Sequence, residues 1–206
     1  MKHFLLKNIE KMRIRVSRLF AAAVILLLCL GESAWDTGCH TLTTIMLAVS
    51  IFLVAAATLG RLWCSLYIAG YKTDRLVTLG PYSMSRNPLY FFSFLGALGI
   101  GLNSETFIIP LIILLAFWCY YPLVIKSEEK EMLRRHRQAF ERYRAKVPMF
   151  FPNISLLTEP ELYPVRPILF KKHIFDVVWF SGFMGIIEII EECHRLNVLP
   201  VMFRLY

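Results

Sequence analysis

Apolar residues gather along this chain into long runs separated by short polar segments, the pattern of elements that bury themselves in lipid. The first run covers about Val16 to Leu30 and is short unless Ala34 and Trp35 join it. The second covers about Leu42 to Leu59, and its helical pattern continues through "GRLWCSLYIAG". The third, Leu89 to Leu102, is also short, and its Gly96, Gly99 and Gly101 would let neighbouring helices approach closely. The fourth runs from Phe107 to Ile125, with Pro110 and Pro122 near its ends, where proline is tolerated best. A later stretch, "HIFDVVWFSGFMGIIEII", reads equally as a fifth span or an interfacial helix. Asp176 and Glu188 interrupt it, and intramembrane acids usually face protein or water. The expected fold is an all-α polytopic membrane helix bundle of four to five spans.

The polar segments have helical periods of their own. Leu5, Ile9, Met12 and Val16 recur at helical spacing among lysines and arginines. They predict an amphipathic helix that lies at the interface or leads into the first span. The stretch is basic for too long, and lacks a clear small-residue site, to read as a cleaved signal. After the fourth run, "KSEEKEMLRRHRQAFERYRAKVP" is too polar to cross a bilayer. Leu133, His136, Phe140, Tyr143 and Val147 make one face of a helix there, opposite Lys130, Glu131, Arg134, Arg137, Glu141 and Arg144. The prediction is a cytosolic amphipathic helix packed on the membrane domain, stopped by Pro148, with Glu131 reaching Arg135 one turn on. Glu129 falls in the middle of the apolar stripe and Glu128 at its edge. A carboxylate centred on a buried face needs a partner. Spacing leaves two partners equally open: a salt bridge to Arg86 or Lys126, or the cation of a ligand.

Composition sharpens this picture. Of 206 residues, 57% are apolar, against about 45–50% for a soluble domain. The length fits one membrane domain over 1–206, divided into N-terminal spans over 1–58, a core over 59–152 and an extension over 153–206. The net charge is +8. Its basic residues flank apolar runs, which suits anionic headgroups and topology control and argues against nucleic acid as a partner. Six lie in the first eighteen residues, Lys72, Arg75 and Arg86 lie between runs two and three, and a dense cluster follows run four. None lies in "GESAWDTGCH" or "NSET". The N-terminus, the segment Gly80 to Tyr90 and the region after Ile125 are therefore expected in the cytoplasm. The sequon at Asn153-Ile154-Ser155 would be silent on that side.

Cysteines 29, 39, 64, 119 and 193 form no C-x-x-C pair, and the five histidines are scattered. They read as small hydrophobes and isolated polar groups, so no metal centre is expected. His40 beside Cys39 reads as a loop coincidence.

The candidate chemistry sits at the boundary of the third run. There "GPYSMSRNPLY" places Tyr82, Arg86, Asn87 and Tyr90 near the level of Glu128 and Glu129. Pro81 and Pro88 fix backbone angles and suppress helix, which predicts an ordered loop. A topology-setting arginine with a tyrosine belt accounts for Arg86 and Tyr90, but poorly for Asn87-Pro88 and the glutamate pair. "AGYKTDRLVTLGPYSMSRNPLY", followed after one hydrophobic hairpin by "EEKEMLRRHRQAFERYRAKVPMFFP", resembles the isoprenylcysteine carboxyl methyltransferase superfamily, which includes membrane phospholipid N-methyltransferases. The resemblance covers about Gly60 to Pro152 and rests on the order of several short motifs.

The resemblance implies an S-adenosylmethionine-dependent methyltransferase with its site at the cytosolic membrane face, built without a Rossmann sheet. Leu76 to Tyr82, including Val77 and Gly80, would wrap the adenosine end. Arg86, Asn87, Pro88 and Tyr90 would line the cofactor slot, and Glu128 and Glu129 would hold the amino group. Arg86 and Glu129 would be the residues most directly tied to catalysis. The charges suit this assignment, because carboxylates and tyrosine faces accept cations and arginine accepts a carboxylate. The acceptor would be a lipophilic molecule entering from the bilayer between the third and fourth spans, with membrane lipids as the remaining partners. Asn87 replaces the family's common histidine, which excludes a histidine acid–base role. Leu123 and Lys126 stand near the place where the isoprenylcysteine enzymes carry a substrate arginine. Two alternatives remain: a nicotinamide-dependent membrane reductase of the sterol reductase type, and a non-catalytic membrane module.

Overall fold

The structure, a computed structural model, describes residues 2–33, 40–71 and 75–205, without the side chains of 2–14 and His40. The face formed by Leu5, Ile9 and Met12, the Ala34–Trp35 extension, Cys39, the His40 ring and Lys72 lie outside the described residues. The chain runs α1 (Lys2–Leu30), β1 (Gly31–Ser33), α2 (His40–Ile68), α3 (Pro81–Met84), α4 (Pro88–Asn103), α5 (Ile108–Lys146), a single 3-10 turn (Ile154–Leu156), α6 (Pro167–Arg195) and β2 (Phe203–Leu205). It is an all-α membrane helix bundle. Among the described residues, α2, α5 and α6 are long and apolar enough to cross a membrane, and α4 is a shorter apolar helix. Leu19, Phe52, Leu59, Trp118 and Trp179 are all more than 60% exposed. That much bare apolar surface suits lipid and would be costly in water.

Four features follow, depart from or go beyond the periodic pattern. The second apolar run does continue, as one helix, through Ile68. The fourth run and the amphipathic helix are also one element, because nothing between Ile125 and Glu128 breaks the helix. The break comes later, at Arg137, whose φ of 37° and ψ of −114° lie outside the helical region. The stretch 167–195, ambiguous by sequence, is one 29-residue helix packed on α1, α2 and α4, and its Asp176 and Glu188 face outward. The fourth feature is a parallel pairing of β1 with β2, which aligns Glu32 with Arg204. No local periodicity announces three-residue strands from opposite ends of a chain.

Contact between α2 and α4 is the most extensive in the bundle. Gly99 makes it possible. A Cβ there would stand 2.9 Å from Val54 Cγ2 and 3.0 Å from the Ser50 carbonyl oxygen. Close backbone approach of this kind is how membrane helices gain packing without a hydrophobic drive between them. Gly99→Leu is expected to cost about 1–3 kcal/mol through overpacking. Thermal unfolding in detergent would measure it, and an unchanged midpoint would show that α4 does not need that approach.

Two clusters cap the bundle. Leu28, Ile109, Ile113, Ile187, Ile190 and Leu205 pack at the end that carries the β-ribbon. Cys64, Tyr67 and Tyr82 pack at the opposite end, where the Gly80–Tyr90 loop lies.

Candidate functional site

The loop from Gly80 is held by the chain that follows α5. The Gly80 amide donates to the Thr158 carbonyl at 2.8 Å, and the Asn153 amide to that of Met84 at 2.9 Å. The Arg86 amide donates to the Pro148 carbonyl at 2.9 Å. Side chains repeat the theme: Ser85 Oγ donates to Phe150 at 2.9 Å and Asn87 Nδ2 to Met149 at 2.9 Å. Tyr143 Oη donates to the Tyr82 carbonyl at 2.6 Å. Buried backbone groups need such partners, and here a second irregular segment supplies them in place of a sheet. Tyr143→Phe removes one of these bonds and is expected to cost about 1 kcal/mol. Comparing the unfolding midpoints of the two proteins tests that value.

Against this frame stands the acid pair of α5. Arg86 Nε lies 3.0 Å from Glu129 Oε1, with the two side chains only 10% and 16% exposed. Of the two structural partners open to Glu129, folding thus selects Arg86, while Lys126 points outward. The Arg86 and Glu129 atoms pair as charges without the alignment of a hydrogen bond, so each retains bonding capacity. Arg86 Nη1 also donates to the Arg144 carbonyl at 3.1 Å. One position earlier on α5, Glu128 Oε1 accepts from Tyr90 Oη at 2.8 Å. Tyr82 Oη is buried with no hydrogen-bond partner among the described residues. Burial drives its phenol well above the ordinary value, so it stays neutral.

Folding therefore unites Arg86 with Glu129 and Tyr90 with Glu128. Pro88 starts α4 at its first turn, where a missing N–H costs nothing. Asn87 points its amide at the Met149 carbonyl, so in this structure it ties two loops together. Val77 packs on the Cys64–Tyr67–Tyr82 cluster. Gly80 adopts φ 60° and ψ −134°, a region open to glycine.

Some contributors escaped the sequence reading. Ser83, Ser85 and the carbonyls of residues 148 to 150 position the loop, yet a backbone acceptor has no residue-type signal. The chain beyond Pro152 also takes part. Glu159 accepts from Trp63 Nε1 at 3.1 Å, and Tyr163 Oη donates to the Tyr67 carbonyl at 2.8 Å. A cluster of rings extends from the acid pair into the bundle. Tyr90 meets Tyr121 at 5.3 Å between centroids, Tyr121 stacks on Phe117 at 3.9 Å, and Phe117 meets Phe94 at 4.6 Å. These rings line the seam of α4 and α5, an apolar wall beside two carboxylates. An open cavity of about 450 Å³ borders Arg86, lined also by Arg144, Lys146, Met149 and Phe151 among others.

Folding thus sets an arginine–carboxylate pair and a tyrosine–carboxylate pair at one end of a membrane bundle. The family model for phospholipid methyltransferases matches residues 38–139. That range takes in α2, the loop, α4 and both glutamates. The chain is 34% identical over 83 residues to the protein-S-isoprenylcysteine O-methyltransferase of Schizosaccharomyces pombe, covering 40% of this chain and 35% of that one. Over 188 residues it is 38% identical to a nickel-cobalt-cadmium resistance protein of Alcaligenes xylosoxydans xylosoxydans, covering 91% of this chain and 87% of that one. A cobalt-zinc-cadmium resistance protein of Cupriavidus metallidurans is 36% identical over 193 residues, covering 94% and 88%. No solved structure is significantly similar. The chain belongs to the phospholipid methyltransferase family, within the superfamily that includes the isoprenylcysteine carboxyl methyltransferases.

Proposed function

We propose that the protein is an S-adenosylmethionine-dependent methyltransferase acting on a lipophilic acceptor at the cytosolic face of the membrane. The observation that carries this reading is the meeting of Arg86, in the loop before α4, with Glu129 of α5, beside Tyr90 and Glu128. The residues fit the cofactor. Tyr82 Oη is a buried polar atom without a hydrogen-bond partner among the described residues, and buried polar atoms call for one; Arg86 Nε and Glu129 Oε1 meet each other as charges. Glu128 and Glu129 would hold the ammonium, Arg86 the carboxylate, and the rings of Tyr90 and Tyr121 would face the sulfonium charge. When bound, S-adenosylmethionine supplies an electrophilic methyl group; transfer breaks its sulfur–methyl bond as the acceptor–methyl bond forms.

The chain's own task is alignment more than proton transfer. The loop clamped by Tyr143, Ser85 and Asn87 would hold Arg86 rigidly, and the apolar seam of α4 and α5 would admit the acceptor from lipid. The cytosolic assignment is supported by Arg75, Arg86, Lys130, Arg134 and Arg135 at this end, against Arg195 and Arg204 at the other. The two metal-resistance relatives support a role in the response of a membrane to toxic metal.

The test is extraction in detergent, calorimetry with S-adenosylhomocysteine and with NADPH, and mass spectrometry of retained nucleoside and lipid. The expected outcome is one equivalent of S-adenosylhomocysteine bound, no NADPH bound, and a methylated lipid-soluble product on incubation with donor and membrane extract. Binding of NADPH in its place would transfer the protein to the reductases, and binding of neither would leave a non-catalytic module.

A further inference from the structure

Arg61 is a charged group that the methyl-transfer reading leaves unused. It stands on α2, inside a stretch long and apolar enough to cross the membrane. A cation placed there is costly and calls for a partner of opposite charge. Among the described residues, none of the ion pairs includes it. Its Nη1 donates to Ser93 Oγ on α4, and its guanidinium lies 5.4 Å from the centroid of the Phe180 ring on α6. These contacts fix its direction without neutralising it. Its Nε is buried with no hydrogen-bond partner among the described residues, and so is Thr58 Oγ1 one turn earlier on the same helix face.

An arginine near a helix end usually snorkels to the headgroups. Here Cys64 and Tyr67 follow on the next two turns of α2, and Tyr82 packs with them, all three buried. They cover the end of the bundle toward which Arg61 would reach. The acid that acts on Arg61 electrostatically, Asp176 of α6, is 62% exposed and pairs with His173 at 3.5 Å. Tyr82 of α3 and Tyr121 of α5 act on it as well. Tyr121 meets Tyr90, which donates to Glu128. Arg61 and the acid pair thus flank the same rings.

We infer that Arg61 binds the reacting group of the lipophilic acceptor, and that this group is an anion, a carboxylate or a thiolate, in preference to an amine. The inference rests on the methyl-transfer reading and narrows its acceptor. Thr58 Oγ1 would offer the anion a second donor. The charges balance. The anionic oxygen or sulfur forms its bond to the methyl group as the donor's sulfur–methyl bond breaks, and the donor sulfur keeps that electron pair. Anion and sulfonium cancel, the product is an ester or a thioether, and no proton has to move. An amine acceptor meets the opposite conditions. Its ammonium is repelled by Arg61 and must first lose a proton.

The test uses the full chain in detergent and single-chain probes of equal length: dodecanoate, dodecanethiol, dodecylamine and dodecanol. Binding is read by calorimetry with and without S-adenosylhomocysteine, and transfer by label from S-adenosylmethionine. The anionic probes are expected to bind ahead of the amine and the alcohol, and to take the label. Arg61→Gln keeps a donor for Ser93 and removes the charge. It should weaken binding of the anionic probes by about 10- to 100-fold and leave S-adenosylhomocysteine affinity unchanged. Arg61→Lys, which keeps the charge, should recover part of the loss. A wild-type chain that prefers the anions but binds no S-adenosylhomocysteine would sink the methyl-transfer reading and leave the anion site standing. A wild-type chain with no preference for the anionic probes, or an unchanged preference in the folded Arg61→Gln variant, overturns the inference.

Discussion

Glu129→Gln is expected to abolish measurable S-adenosylhomocysteine binding while the chain still folds. Glutamine keeps the length and planarity of the side chain and removes only its charge. Arg86 is then left with its contact to the Arg144 carbonyl and no anionic partner, at 10% exposure. Breaking a buried pair costs about 3–5 kcal/mol when nothing replaces the lost charge. Here the carbonyl and the retained amide offset part of that, so a loss of about 1–3 kcal/mol in stability is expected. The two readings of the pair differ in a measurable way. If Glu129 serves only to hold Arg86, the folded variant binds S-adenosylhomocysteine as the wild type does. If it also meets the ligand's ammonium, affinity falls by about a hundredfold or more, the equivalent of a charge-assisted bond of roughly 3 kcal/mol. Calorimetry on the monodisperse variant decides between them.

The second large effect is expected at Gly80. A valine there would need a φ near 60°, which a β-branched side chain does not tolerate, and its Cβ would overlap the Tyr67 ring. The Gly80 carbonyl accepts from both the amide and the hydroxyl of Ser83, and the Gly80 amide holds Thr158. Strain at this one position therefore releases both sides of the loop. Gly80→Val should cost about 3 kcal/mol or more and open the segment around Thr158 to protease. Gly80→Ala should show a smaller loss of the same sign. A Gly80→Val protein with an unchanged unfolding midpoint and unchanged cleavage would mean that the clamp does not depend on this turn.

Both expectations rest on features of different legibility. Glu129 was readable because helical period is a local property: apolar residues recurring three and four apart place a carboxylate on the stripe of Leu133, Phe140 and Tyr143. The loop was readable as a loop because Pro81 and Pro88 restrict their own backbone. The α4 boundary at Pro88 follows from the same restriction. What the loop is bonded to was not readable. Asn87 and Ser85 find carbonyls some sixty residues away, and a carbonyl belongs to every residue alike. The kink at Arg137 was hidden because arginine is a good helix former and nothing in its neighbours breaks a helix.

The sequence by itself determined that this chain lives in lipid, which stretches are helical, and that an arginine and two glutamates gather at one boundary. These follow from hydropathy, period and proline stereochemistry, which act over a few turns. Only the tertiary structure decided that Glu129 meets Arg86 in preference to Lys126, that the chain beyond Pro152 clamps the loop, and that Arg61 meets Ser93 and Phe180 inside the bundle. Those choices depend on which distant segments desolvate one another, and that is settled when helices pack.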